Sequence, residues 1–141
     1  MRKLALDLGT RTCGFAISDE LAIIASPLEN FRFEENDFNS VIHKTLAYIN
    51  HYENIDEIIL GLPLRSNGSK SERTIMVEEF KSILESNLVK NNINIKIKLI
   101  NEYGSTKDAE SVMIQAGLSR KKRKNHKDKL AAAIILERYL N

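Results

Sequence analysis

The first residues set the pattern. Leu4-Ala5-Leu6-Asp7-Leu8 is apolar on both faces except at Asp7, as expected of a central strand. Gly9-Thr10-Arg11-Thr12 reads as a turn and Gly14-Phe15-Ala16-Ile17-Ser18 as a second strand. A third strand runs from about Ala22 to Phe31, where Pro27 predicts an edge position or a bulge. Strands joined this closely form a meander. Asp37 then stands as an N-cap, and Phe38, Val41, Ile42, Thr45, Leu46, Ile49 and Tyr52 recur at helical spacing.

Glu57-Ile58-Ile59-Leu60-Gly61 reads as a short buried strand, followed by a loop from Leu62 to Gly68. Ser69 with Glu72 forms a capping box for a helix that buries Met76, Phe80, Ile83, Leu84 and Leu88 and stops at Asn91-Asn92. Ile93 to Leu99 alternates strictly between apolar and polar, a half-buried strand whose outward lysines protect a sheet edge. Ser105 with Asp108 opens a further helix closed by Gly117, a basic loop follows, and the last helix runs from about Lys127 to Leu140. The order β-β-β-α-β-α-β-α-α predicts an α/β fold, a mixed sheet covered by helices.

The chain has 141 residues, 43% hydrophobic and 28% charged, which suits one globular domain over residues 1–141. The apolar runs are too short for a transmembrane helix, and Asp7 interrupts the only candidate signal-peptide core. Cys13, the only cysteine, rules out an internal disulfide framework and a cysteine-rich zinc site. A cytoplasmic protein with no membrane partner is the economical expectation.

Charge changes the picture more. From Arg120 to Lys129 there are seven basic residues and one acid, a local charge of +6 within a chain of net +2, so the remainder carries −4. A basic cluster on an acidic body is the footprint of a polyanion-binding surface; a solvated loop is the plainer alternative.

Asp7 would be costly within a central strand unless paired, hydrogen-bonded or metal-bound, and alternation sets it on the face opposite Leu4, Leu6 and Leu8. Glu102 leaves the alternating strand into a loop. Asp128 begins the stripe of Ala131, Ala132, Ile135, Leu136 and Tyr139, so it points back toward the sheet. Taken singly, each has a simpler role: turn cap, solvated loop acid, helix-start anion. Together, without histidine or cysteine at metal spacing, they suggest a hard cation such as Mg2+ or Mn2+. Two such ions about 4 Å apart activate water and steady the leaving oxygen of a phosphodiester. Cys13 reads as a buried small hydrophobe and His43 and His51 as surface or packing residues, while His126, near Asp128, reads equally as a group that orients a phosphate or water and as a solvated loop histidine.

Four blocks, in order, carry a resemblance. They are Asp7-Leu8-Gly9-Thr10-Arg11 with Gly14 to Asp19; Gly61-Leu62-Pro63-Leu64 with Asn67-Gly68-Ser69; Gly117-Leu118-Ser119-Arg120-Lys121-Lys122-Arg123; and Asp128-Lys129-Leu130-Ala131-Ala132. The chain resembles the YqgF family over essentially its whole length. These are small bacterial RNase H-like proteins described as Holliday junction resolvases and as pre-16S rRNA nucleases. The resemblance implies a five-stranded mixed sheet flanked by helices, with Asp7, Glu102 and Asp128 as the metal-binding, catalytic acids. The family's Asp-Glu-Arg block is here Asn101-Glu102-Tyr103, so the glutamate is kept while the aspartate and arginine are replaced. A phenol does not replace a guanidinium fork, which leaves Lys107 or Arg65 as candidate substitutes.

The resulting expectation is a metal-dependent nuclease acting on structured RNA, processing the 5′ end of pre-16S rRNA in ribosome biogenesis. Arg11, Arg120, Lys121, Lys122, Arg123 and Lys124 would hold the nucleic-acid backbone. The alternatives are a resolvase of four-way DNA junctions, and a non-catalytic RNA-binding assembly factor that keeps the fold. The Asp7-Leu8-Gly9-Thr10 block also resembles the phosphate loop of actin-like and sugar kinases, but those need two such domains around a cleft.

Overall fold

The computed structural model describes residues 1–65, 67–102 and 120–141, with the backbone alone for 120–129. Its elements are β1 (Arg2–Leu8), β2 (Thr12–Ser18), β3 (Ala25–Arg32), α1 (Phe38–His51), β4 (Ile55–Leu62), α2 (Glu72–Lys90), β5 (Lys96–Asn101) and α3 (Arg120–Leu140). The strands form one five-stranded sheet in the order β3-β2-β1-β4-β5. β1 pairs antiparallel with β2, and β2 with β3; β4 lies parallel to β1, and β5 parallel to β4. The expected meander followed by α/β crossovers is therefore the observed topology.

The sheet has two unlike faces because side chains alternate along each strand. On one face Leu4, Leu6, Leu8, Phe15, Ile58 and Leu60 pack against Val41 and Ile42 of α1 and Val77, Phe80, Leu84 and Leu88 of α2. On the other, Ala5, Ala16 and Ile59 meet Ala132, Ile135 and Leu136 of α3. Alanines on both partners there allow the helix to lie close to the strands. Cys13 is fully buried in the larger cluster, as its reading as a small hydrophobe requires.

The edges behave as expected. Pro27 lies on edge strand β3, where the pairing shifts register between Phe15 and Ala16, so the proline meets both an edge and a bulge. β5 forms the other edge, with Lys96 and Lys98 exposed.

Several boundaries need correction. β3 starts at Ala25 because the chain turns tightly at Ala22, whose φ is 55°. β5 starts at Lys96 and not Ile93, although Ile93 and Ile95 still pack on the core. The cap of α2 is Ser71, not Ser69: its Oγ accepts from the Thr74 N–H at 3.3 Å while Thr74 Oγ1 accepts from the Ser71 N–H at 2.9 Å. Ser69 is taken by the preceding turn, where its N–H and hydroxyl both donate to Asn67 Oδ1. Ile83, expected in the core, is exposed, because α2 buries the stripe Val77-Phe80-Leu84-Leu88. Asp37 caps α1 by position, but its carboxylate accepts from the Ser40 hydroxyl and makes no backbone cap bond.

The largest correction concerns the basic stretch, expected as a loop up to about Lys127: α3 is already helical from Arg120. Lysine and arginine are good helix formers, and no glycine or proline interrupts residues 120–140. The expected helix between Ser105 and Gly117 lies outside the described residues.

At the amino end of β1 and β4 a polar latch fixes the far end of α3. Lys3 Nζ lies 2.8 Å from Asp56 Oδ1 and 2.7 Å from Glu57 Oε1, and the Tyr139 hydroxyl donates to Glu57 Oε2 at 2.8 Å. Burial alone would raise the Glu57 pKa, but hydrogen bonds from Lys3 and Tyr139 outweigh it and hold the carboxyl below its ordinary value. A carboxylate with a depressed folded pKa stabilises fully above its unfolded pKa, and that contribution is lost as pH falls through the folded value. Glu57→Gln should therefore cost about 1–2 kcal/mol at pH 7. The difference from wild type should shrink as urea unfolding is repeated from pH 7 toward pH 3; a gap independent of pH would contradict the latch.

Candidate active site at the carboxyl end of the sheet

The chemistry-bearing residues gather where β1, β4 and β5 end. Asp7 is the penultimate residue of β1, opposite Gly14 of β2, and is half-buried. It alternates with Ala5, which places it on the face that α3 covers. Glu102 follows the last residue of β5, and its N–H still donates to the Leu62 carbonyl at 3.3 Å, so the ladder runs one step beyond the strand. Its side chain is only 8% exposed. β4 separates the two acid-bearing strands and contributes Gly61.

Gly61 makes room for the glutamate. A Cβ built at Gly61 would meet Glu102 Oε2 at 2.6 Å and Ile135 Cδ1 at 2.8 Å, both closer than real Cβ contacts. The Glu102 carboxylate thus lies over β4, against α3, on the face that Asp7 shares. The two oxygens differ: Oε1 lies 3.6 Å from Arg73 Nη2, whereas Oε2 is buried with no hydrogen-bond partner among the described residues. The same Arg73 Nη2 donates to the Leu8 carbonyl at 3.1 Å.

Asp128 lies on α3, and the buried stripe of Ala131, Ala132, Ile135 and Leu136 carries back by helical spacing to its position. Its side chain is outside the described residues, as are those of Arg120, Lys121, Lys122, Arg123, Lys124 and His126. Among the described residues no three histidine, cysteine, aspartate or glutamate side chains form a metal-sized cluster. Arg11, in the turn after β1, is exposed and pairs with Glu35 at 3.1 Å. His43 and His51 are exposed on α1, and His51 meets Tyr52 edge-on. Asn101 ends β5 opposite Leu62, while Tyr103 and Lys107 lie outside the described residues.

Two functional features escape the sequence pattern. Gly61 reads there as the end of a strand and the start of a family block, with no sign of the room it leaves for Glu102. Arg73 is not singled out there, and Arg65 or Lys107 stands as the substitute cation. Arg65 is exposed in the loop before α2, whereas among the described residues Arg73 is the cation beside Glu102. One signal was available: Arg73 lies in the first turn of α2, where the helix macrodipole disfavours a cation.

A five-stranded mixed sheet in this order, with helices on both faces, is an RNase H-like fold. The structure titled "T. thermophilus RuvC in complex with Holliday junction substrate" is similar with a TM-score of 0.57, over 96% of this chain and 91% of that one. At 14% identity this likeness concerns the fold alone. The family described as "RuvX: Holliday junction resolvase" matches residues 1–141, and the chain belongs to that family, the one the motifs identify as YqgF. A relative from Mycoplasmopsis pulmonis is 49% identical over 142 residues, covering all of this chain and 93% of its own. One from Ureaplasma parvum is 48% identical over 143 residues, covering all of this chain and 97% of its own. Both carry the name "Putative pre-16S rRNA nuclease".

The cradle at Gly61 is directly testable. Both atoms in the way are side-chain ends, so Gly61→Ala should cost only about 1–3 kcal/mol of stability. It should lower activity far more, because the group displaced is the Glu102 carboxylate. Urea unfolding and turnover of the same preparation check this; parallel losses would mean that Gly61 serves packing alone.

Proposed function

We propose that the chain is a divalent-metal-dependent nuclease of structured RNA that trims the 5′ end of the small-subunit ribosomal RNA precursor in the cytoplasm. The observation that carries the reading is Glu102 Oε2, a buried carboxylate oxygen without a partner among the described residues, on the α3-covered face that Asp7 shares. Such an oxygen is costly to desolvate unless a cation takes its lone pairs. The donor set fits a hard ion: carboxylates from β1, the end of β5 and α3, with neither thiolate nor imidazole. The names of the relatives support RNA as substrate.

In this reading Asp7, Glu102 and Asp128 hold Mg2+ or Mn2+. The ion would supply Lewis acidity at the phosphorus centre and counter-charge for the leaving oxygen. The chain's own residues do the positioning. Asp7 is fixed by the β1–β2 ladder, and Glu102 is held by the Gly61 cradle and Arg73. Arg11 and the run Arg120 to Lys124 would bear on phosphates near the acids, which makes binding salt-dependent.

The family's description favours one second reading, cleavage of four-way DNA junctions by the same chemistry. A 5′-extended 16S precursor fragment and a four-way junction, offered side by side, separate the two. Wild type should cleave the RNA in Mg2+ or Mn2+ and not in EDTA. Asp7→Asn, Glu102→Gln and Asp128→Asn should each slow cleavage by about 10²-fold or more. Replacing Arg120 to Lys124 by alanine should flatten the salt dependence of binding, by up to roughly 4 in the log–log slope. Cleavage that persists in EDTA overturns the metal mechanism, and preference for the junction transfers it to DNA. Binding without cleavage of either substrate, unaffected by Asp7→Asn, would leave an assembly factor.

A further inference from the structure

Glu102 presents an electrostatic problem before any metal arrives. A carboxylate more than nine-tenths buried needs its charge compensated, and leaving it unpaired is strongly destabilising. Among the described residues the cation within ion-pair distance is Arg73, at 3.6 Å from Oε1. Its position is not one the helix favours, since the first turn of α2 repels a cation and stabilises its neighbour Glu72. What holds the guanidinium is at the strand ends: Nη2 donates to the carbonyl of Leu8, the residue after Asp7, and faces Glu102. One nitrogen thus ties the end of β1 to the end of β5 across β4. Arg73 remains 53% exposed, so the ion pair is open to solvent on one side.

We propose that Arg73 is the resident counter-ion of Glu102, a positioning residue that keeps the buried carboxylate in place when no divalent ion is bound. The proposal rests on the reading of Glu102 as a metal ligand for its second half only. Arginine and metal ion neutralise the same charge. The arginine therefore matters most to the metal-free protein, and an added ion should relieve its loss.

A double-mutant cycle read by thermal unfolding tests this without any nuclease assay. Wild type, Arg73→Ala, Glu102→Gln and the double variant are melted in EDTA and in 10 mM MgCl2. In EDTA, Arg73→Ala should lower Tm by about 4 °C. Adding Glu102→Gln should return most of that loss, because the stranded charge is gone. Part of the drop survives, since the Leu8 hydrogen bond is also lost. Magnesium should raise the Tm of Arg73→Ala more than that of wild type, and Arg73→Lys should lie between the two. Additive effects of the two substitutions in EDTA overturn the proposal, whatever the nuclease assay gives. Coupling in EDTA with an equal magnesium shift in all four proteins overturns the exchange of counter-ion and counts against Glu102 as a ligand. If Arg73→Ala does not fold, Arg73→Gln closes the same cycle.

Discussion

The arrangement turns on a carboxylate kept out of water at the end of a strand. Glu102 sits over a glycine, against Ile135 of α3, with one oxygen facing a guanidinium and the other facing no donor among the described residues. Desolvating such a group costs several kcal/mol unless its charge is met. A fold keeps it only where neighbouring elements are arranged around it. Here they come from distant parts of the chain: Gly61 from β4, Arg73 from α2, Ile135 from α3 and the Leu8 carbonyl from β1.

The unlike faces of the sheet make this possible. The face packed on α1 and α2 carries leucine, isoleucine and phenylalanine and holds most of the core. The face under α3 carries Ala5 and Ala16, so the helix sits close and contributes alanines in return. Asp7 interrupts this thinner face at its carboxyl end. The large core thus carries most of the apolar burial, while the polar chemistry lies where only one helix must accommodate it. Such a division lets the Glu102 carboxylate be desolvated without opening the main core.

Much of this was legible in the sequence. Alternation in β1 told which face Asp7 would take, helical spacing in α3 told which stripe would be buried, and Pro27 told that β3 would lie at an edge or carry a bulge. These signals are periodic, and period is what burial leaves in a sequence. The misses have a different origin. Gly61 and Arg73 act through contacts between elements remote in the chain, and a single residue carries no period. Ser71 displaced Ser69 as cap because Asn67 captured Ser69 first, a competition between adjacent turns. The basic run follows a helix-closing glycine and reads as a loop, although its residue types favour a helix and α3 begins there.

The latch at Tyr139 bears on the acids although it lies at the other end of the sheet. α3 is held there through Glu57 and Lys3, eleven residues from position 128. At 1.5 Å per residue that is a rigid arm of about 16 Å. Tilting such an arm by about four degrees at its fixed point moves the other tip by about 1 Å, enough for a large loss of rate in chemistry that depends on placement. A tyrosine hydroxyl at one end of the sheet thereby bears on where the other end of the final helix lies.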